Sequence, residues 1–232
     1  MYGKPLLFPS PIRVFDTLID LLCTADFYLI LFNSLVNILI GFILALAVGV
    51  ILACITAQIK PLRDLFLPMM TVIKATPVAS FIVLAMILIG AAKVPSLITF
   101  LIVLPVVWTN LDEGFQRIDK QLFELTCVYH FSYWKRLRTL IFPSLSPFFF
   151  SACRAAFGLA WKAGISAEIL AMPPYSIGTM IGDAKTYILT SDVFAWTLTV
   201  IVLSLIIEVG FSALLRAFAR KFQKGGAQNA DL

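Results

Sequence analysis

Residues 27–57 have the sequence FYLILFNSLVNILIGFILALAVGVILACITA, a run of 31 residues without a charged side chain. Two residues after the run come Lys60, Pro61 and, after one more, Arg63. About 20 helical residues suffice to cross the ~30 Å hydrocarbon core of a bilayer, and basic residues commonly mark the cytoplasmic end of such a helix. The run therefore predicts a membrane-spanning helix with a cationic stop.

The rest of the chain has the same character. Of its 232 residues 60% are apolar and 13% are charged, against a usual globular share of roughly a quarter charged. We predict an all-α polytopic membrane protein whose spans and loops use nearly the whole chain, so that no room remains for a soluble catalytic domain. The predicted spans cover about 27–57, 65–90, 95–111, 148–171 and 193–215, the second interrupted by Pro68 and Pro77.

Lysine and arginine are distributed unevenly between the two sides of these spans. Eleven lie on the side of the large polar loop 112–147 and of the basic tail 216–232, and four lie on the other side. Positive residues favour the cytoplasmic face, so the loop and the tail are predicted to be cytoplasmic. The eleven are Lys60, Arg63, Arg117, Lys120, Lys135, Arg136, Arg138, Arg216, Arg220, Lys221 and Lys224; the four are Lys4, Arg13, Lys93 and Lys185.

Five spans with a cytoplasmic C-terminus predict an extracytoplasmic N-terminal segment, residues 1–26. Residues 1–13 contain three prolines and no apolar run behind a basic start, so they do not resemble a signal peptide. Two explanations stay open. Either the first helix translocates this segment, or a preceding span belongs to a longer gene product.

Composition excludes several other classes of protein. The net charge of +5 comes from basic residues diluted among apolar runs, which form no continuous face for nucleic acid. The four cysteines form no CxxC pair and His130 is the single histidine, so neither a metal site nor a disulfide framework is predicted. A membrane-embedded enzyme would need paired carboxylates, a serine with a base or a histidine cluster, and the spans offer none of these.

Small residues recur at every fourth position in two spans, a spacing that places them on one helix stripe. Such stripes allow close approach of a second helix and predict permanent packing seams, although glycine and alanine are also simply common in membrane helices. The first stripe is Gly41, Ala45, Gly49, Ala53 and Ala57; the second is Ala152, Ala156, Ala160 and Gly164, and it ends at Glu168.

Charged residues inside spans are costly and mark functional hypotheses. Lys162 could face a central path and attract an anion such as a sulfonate, nitrate or carboxylate; alternatively it pairs with Glu168 or Glu208 or binds a freed carbonyl. Trp161 could line the same path. Glu168 is predicted to point into a seam near the outer face, with a structural or a gating role. Lys74 and Arg154 are predicted to extend towards the nearer interface.

One motif in the polar loop points to a known family. Three residues separate Glu124, Leu125 and Thr126 from His130, and nine more separate His130 from the segment 140–143, Leu-Ile-Phe-Pro. This resembles the coupling loop of ABC-importer permeases, with Glu-Ala-Ala, a glycine at the place of His130, and Ile-x-Leu-Pro. Matching flanks over residues 9–220 make it similar to the nitrate/sulfonate/taurine branch of type I permeases.

The resemblance implies a MetI-like core of five transmembrane helices without the family's usual first helix, in the plasma membrane. It implies a path for a small solute of the sulfonate, nitrate, taurine or heteroaromatic precursor class, a second permease copy, two ATPase subunits and an extracytoplasmic binding protein. ATP and Mg²⁺ would sit on the ATPase, since no phosphate-binding glycine motif occurs here.

The implied coupling residues follow the same motif. An amphipathic helix there could dock into a groove of a soluble partner, or merely lie on anionic lipid. A left-handed residue is expected at position 130. The residues are Leu122, Phe123, Glu124, Leu125, Thr126, Val128, Tyr129, His130 and Pro143. The competing hypothesis is a stand-alone secondary transporter, which predicts an internal repeat that the two halves do not show.

Overall fold

The structure, a computed structural model, describes residues 9–228, with side chains as far as Phe218. Residues 1–8 of the predicted N-terminal segment and 229–232 of the predicted tail lie outside this range. Within it the chain forms ten α-helices and no strand: α1 Pro11–Leu22, α2 Ala25–Gln58, α3 Lys60–Ala75, α4 Val78–Ile89, α5 Val94–Gln116, α6 Lys120–Val128, α7 Tyr133–Arg136, α8 Phe142–Ala171, α9 Ile177–Thr186 and α10 Thr190–Gln228.

Four helical stretches of the described chain are long and apolar enough to cross a membrane. They are α2, Ala91–Gln116, Tyr133–Ala171 and Thr190–Phe218, and the bent pair α3 and α4 makes a fifth if it is counted as one span. The prediction of an all-α polytopic membrane protein is confirmed.

The helices extend beyond the apolar runs from which the spans were predicted. Helix α5 continues to Gln116, so residues 112–116 are helical although they were assigned to the polar loop. Helix α8 begins at Phe142, six residues before the predicted start of its span. Hydropathy marks the part of a helix that suits lipid, whereas the backbone hydrogen bonds continue into its polar ends.

The second predicted span, 65–90, is two helices with an interruption at Thr76 and Pro77. The proline ring restricts the residue before it to extended conformations, which ends α3 at Ala75. Pro68 instead lies inside α3 without interrupting it.

The described chain divides into two compact units. The first comprises residues 9–44, 76–101 and 159–207, and the second comprises residues 45–75, 102–158 and 208–228.

In the first unit, glycines of α2 and α8 lie where a side chain would collide with a neighbour. A Cβ on Gly41 would overlap the carbonyl oxygen of Ser96 on α5, and one on Gly164 would overlap the side chain of Ile38 on α2. The Ser96 hydroxyl also donates to the carbonyl of Asn37, at 2.8 Å. Small residues therefore let these three backbones approach closely.

In the second unit, α2 packs on α5 by the same means. A Cβ on Gly49 would lie 2.8 Å from Cγ1 of Val107, and Ala45 and Ala53 are fully buried. Ala57, however, is exposed. A step of four residues overshoots one helical turn by about 40°, so the stripe rotates away from α5. Thr56 takes over there, accepting a 3.1 Å hydrogen bond from Nε1 of Trp108.

The second stripe lies on α8. Ala152, Ala156 and Ala160 have no exposed surface, and Gly164 is buried as well. In the second unit the neighbouring Phe157 stacks on Phe211 of α10, with ring centroids 4.1 Å apart.

Candidate functional site

The predicted coupling helix is α6, which begins at an Asp119 cap. The carboxylate of Asp119 accepts a 2.8 Å hydrogen bond from the backbone N–H of Gln121. The helix ends after Val128 in a tight turn, where the N–H of Phe131 bonds the carbonyl of Thr126 at 2.9 Å and the N–H of His130 bonds that of Cys127 at 3.0 Å. This pair of bonds defines a Schellman ending.

His130 occupies the left-handed position of that ending, with φ of 48°. The family pattern that this loop resembles has glycine here, which enters this region without a Cβ penalty. Histidine is among the non-glycine residues found there more often than most. The departure from the family motif at this position thus leaves the turn geometry in place.

Helix α7 braces α6 from behind. The Arg136 guanidinium lies over the ring of Phe123, 4.9 Å from its centroid, and its Nη2 lies 3.3 Å from Sγ of Cys127. Thr126 of α6 is buried, and its hydroxyl donates to the carbonyl of Phe123 at 2.7 Å. Phe123, predicted as part of the outward docking face, is therefore partly used inside the segment.

The outward face of the segment carries several large apolar side chains. Leu122, Leu125, Val128 and Tyr129 are exposed on α6, and Tyr133 and Trp134 are exposed on α7, the last at 75%. The polar Gln121 and Lys135 are exposed as well. Tyr133 and Trp134 were not predicted as coupling residues; the sequence signal is their position directly after the Ser132 cap of α7. Pro143, in the first turn of α8, is also exposed.

Glu124 lies on this exposed part of α6. Among the described residues its carboxylate makes no hydrogen bond and no ion pair. An unpaired carboxylate on a braced helix is free to accept hydrogen bonds from another protein.

A partly buried ion pair joins α3 to α5 just before the segment begins. Nε of Arg63 on α3 lies 2.7 Å from Oδ1 of Asp112 on α5, and Nε2 of Gln116 donates to the other oxygen at 2.7 Å. Asp112 is only 6% exposed. Gly114 allows close packing beside it, since a Cβ there would lie 2.9 Å from the ring of Phe148 on α8. The sequence did not predict this ion pair, because 49 residues separate Arg63 from Asp112.

The first unit contains a second polar site, built on Glu168. This residue has no exposed surface, and its Oε2 accepts hydrogen bonds from the Ser34 hydroxyl at 2.9 Å and from the N–H of Gly178 at 3.1 Å. The N–H of Ile177 donates to the Ser34 oxygen at 2.9 Å. Two of the free N–H groups at the start of α9 are thereby satisfied by side chains of α8 and α2.

Gly178 is required by this contact. A Cβ at position 178 would overlap the side chain of Glu168 and the backbone of Ile169. A carboxylate is also favoured at a helix N-terminus because the free N–H groups carry partial positive charge. Glu168 therefore anchors α9 against α8. Ser34, which completes the anchor, lies in an apolar run, and nothing in the sequence distinguishes it.

Lys162 and Trp161 are adjacent in sequence but differ in exposure. Lys162 is exposed, whereas Trp161 is 5% exposed and its Nε1 has no hydrogen-bond partner among the described residues. Lys162 is not paired with Glu168, whose carboxylate is bound by Ser34 and Gly178 instead. Burial places the Trp161 ring inside the first unit rather than on its surface.

Helices of membrane length, a braced segment at the end of α5 and seams of small residues define a polytopic membrane permease subunit. A family model described as "Binding-protein-dependent transport system inner membrane component" matches residues 45–224. The chain belongs to this family. It is the permease subunit of an ABC transporter, as predicted, and the family is one of transport proteins, not of enzymes.

Curated relatives agree. The chain is 26% identical over 218 residues to the nitrate import permease protein NrtB of Synechocystis sp., covering 89% of this chain and 78% of that one. It is 26% identical over 191 residues to the putative aliphatic sulfonates transport permease protein SsuC of Bacillus subtilis, covering 81% and 68%. It is 26% identical over 163 residues to the bicarbonate transport system permease protein CmpB of Synechococcus elongatus, covering 69% and 58%.

The Glu168 anchor generates a stability prediction. Glu168→Ala leaves the N–H of Gly178 and the Ser34 hydroxyl without their acceptor, which costs about 1–3 kcal/mol per buried group. We expect the detergent-purified protein to melt several degrees lower and residues 173–187 to exchange amide hydrogens faster, whereas Glu168→Gln keeps an acceptor oxygen and loses less. The matched control is Glu208→Ala, at an exposed glutamate. Equal melting temperatures for Glu168→Ala and Glu208→Ala would contradict the anchor.

Proposed function

We propose that this chain lines the path of an ATP-driven importer for a small anion, acting as a homodimer with two ATPase subunits and an extracytoplasmic binding protein. The family description supports a binding-protein-dependent system. The relatives' names specify nitrate, aliphatic sulfonates and bicarbonate, all of them anions at neutral pH. This family favours the importer over a stand-alone secondary transporter.

The observation that carries the proposal is the outward face of α6 and α7. An apolar patch on a polar segment outside the predicted spans is typical of a protein interaction site. Arg136 of α7 packs on Phe123 of α6, and the chain continues from α7 through residues 137–141 into α8. We expect a force applied to this face to reach α8 by this route, while the Arg63–Asp112 pair joins α3 to α5. Glu124 would add orientation by accepting hydrogen bonds from the ATPase.

ATP chemistry is assigned to the partner. The single Gly-Lys pair in the sequence is Gly3–Lys4, and it lacks the spacing of a phosphate-binding loop. In this proposal ATP and Mg²⁺ bind the ATPase subunits, and this chain binds no cofactor.

The proposed orientation places the coupling segment and the C-terminus in the cytoplasm and the N-terminal segment outside. Its support is the excess of lysine and arginine on the coupling side. On this arrangement α9, with its Glu168 anchor, faces the side from which the binding protein delivers solute.

The orientation predicts the labelling of single cysteines. In a chain whose four native cysteines are replaced, Lys120→Cys should resist an impermeant thiol reagent in intact cells and react after the cells are opened. Lys93→Cys, in the turn between α4 and α5, is the matched control and should react in intact cells. Prompt labelling of Lys120→Cys in intact cells would overturn the orientation.

The coupling role predicts the effect of Glu124→Ala. We expect solute uptake to fall at least about tenfold, the equivalent of ~1.4 kcal/mol, while ATP hydrolysis loses its stimulation by loaded binding protein. The measurement is uptake and hydrolysis by the reconstituted transporter. Asp64→Ala removes an exposed carboxylate of α3 outside α6 and α7 and should leave both rates unchanged. Normal coupling in Glu124→Ala would remove Glu124 from the docking site.

The path predicts a charge requirement at Lys162. Its exposed side chain extends from α8, where a positive charge would attract an anion. Lys162→Met should lower uptake of nitrate or an alkanesulfonate severalfold while the assembled complex is recovered in normal amount, and Lys162→Arg should retain uptake. Wild-type uptake by Lys162→Met would exclude this residue from the path.

A further inference from the structure

Lys74 lies in the last turn of α3, just before the interruption at Thr76 and Pro77. It was predicted to extend towards the membrane interface, and the structure gives it a different surrounding. Its side chain is exposed on the single chain, yet its Nζ donates a 2.8 Å hydrogen bond to Oγ1 of Thr109 on α5. The ammonium is therefore held against a neighbouring helix.

The partner of Lys74 is neutral. The Thr109 hydroxyl donates its own proton to the carbonyl of Pro105 at 2.6 Å, so its oxygen serves Lys74 as an acceptor. An ammonium has three N–H donors, and this contact uses one of them. Among the described residues no carboxylate pairs with Lys74. Its full positive charge and two donors remain available.

Arg63, on the same helix, differs from Lys74 in having a carboxylate partner. Its guanidinium is matched by Asp112, and the second oxygen of that carboxylate is occupied by Gln116. Asp112 lies three residues beyond Thr109 on α5, and both of its oxygens are engaged. The carboxylate nearest to Lys74 along α5 is thus already bound by other groups.

Lys74 lies beside the break in the bent pair of α3 and α4, and Thr109 lies one turn before Asp112 on α5. An ammonium without a carboxylate partner is costly at such a position if it faces lipid. Such residues face a water-filled path or a bound counter-ion. Lys74 is exposed on the single chain, its one hydrogen-bond partner is the neutral Thr109, and two of its N–H groups are unused. These features suit the binding of an anion from solution.

We propose that Lys74 is an anion-binding residue of the translocation path and that Thr109 is its positioning residue. The proposed ligand is a small, singly charged oxyanion such as nitrate, bicarbonate or an alkanesulfonate. Its oxygens would accept hydrogen bonds from the two free N–H groups of Lys74. This assignment rests on the proposed function and adds a second cation, independent of Lys162, to the path.

The test uses the complete transporter, reconstituted with its ATPase and binding protein, in a parent chain with Cys23, Cys54 and Cys127 replaced by serine and Cys153 by alanine. Lys74→Cys should lower nitrate or ethanesulfonate uptake at least tenfold. Treatment with 2-aminoethyl methanethiosulfonate, which attaches an ammonium on a side chain one atom longer than that of lysine, should restore at least half of the parent rate. Neutral methyl methanethiosulfonate should not.

Lys60→Cys, at the opposite end of α3, is the matched control and should import at the parent rate with either reagent. Thr109→Val keeps the side-chain shape without the hydroxyl and should raise the anion concentration for half-maximal uptake severalfold. It also serves if Lys74→Cys fails to assemble.

The outcomes separate the two proposals. Three results would overturn the Lys74 assignment, provided that the parent imports anion. They are parent-like uptake by Lys74→Cys, equal rescue by the neutral reagent, and mass spectra in which neither reagent has modified the thiol at position 74. A parent that imports none of nitrate, bicarbonate or ethanesulfonate would contradict the proposed substrate class, and this inference with it.

Discussion

The close approach of α2 to α5 is the contact on which the other packing depends. Lipid is as apolar as a leucine side chain, so burial of apolar surface does not drive helices together in a bilayer. Close van der Waals contact between the helices must supply the attraction instead. Gly41 allows this contact at Ser96, and Gly49 allows it at Val107. Once α2 and α5 are fixed, α8 can place Gly164 against both.

Polar contacts at chosen points then fix which surfaces meet. Glu168 secures the start of α9, and Asp112 ties α3 to α5 below the coupling segment. Each carboxylate is buried and accepts two hydrogen bonds: those to Asp112 are shared between its two oxygens, whereas both to Glu168 go to Oε2 and its Oε1 has no partner among the described residues. Glu124, Lys162 and Lys74 are exposed instead, and an external partner or solute is assigned to each of them.

The sequence predicted the long apolar helices well because 20 or more apolar residues have few alternatives to a membrane helix. It also placed Glu168 in a seam, since the four-residue spacing leads directly to it. It could not find Ser34 or the Arg63–Asp112 pair, because contacts across more than 40 residues depend on tertiary packing. The extra turn of α5 was missed for another reason: Asp112, Glu113 and Gln116 are polar, and hydropathy does not distinguish a polar helix end from a loop.

The uneven hydropathy of the spans has a consequence for how the chain is made. Helix α2 is the most apolar of the four long stretches and leaves the ribosome first among them, whereas the stretch that contains α8 is the least apolar and carries Arg154 and Lys162. Charged residues weaken recognition of a helix by the insertion machinery. Because Gly164 and Glu168 of α8 contact Ile38 and Ser34, an α2 already in the bilayer offers α8 a template during synthesis. Biogenesis of this subunit is therefore ordered, with the later helix depending on the earlier one for its place in the membrane.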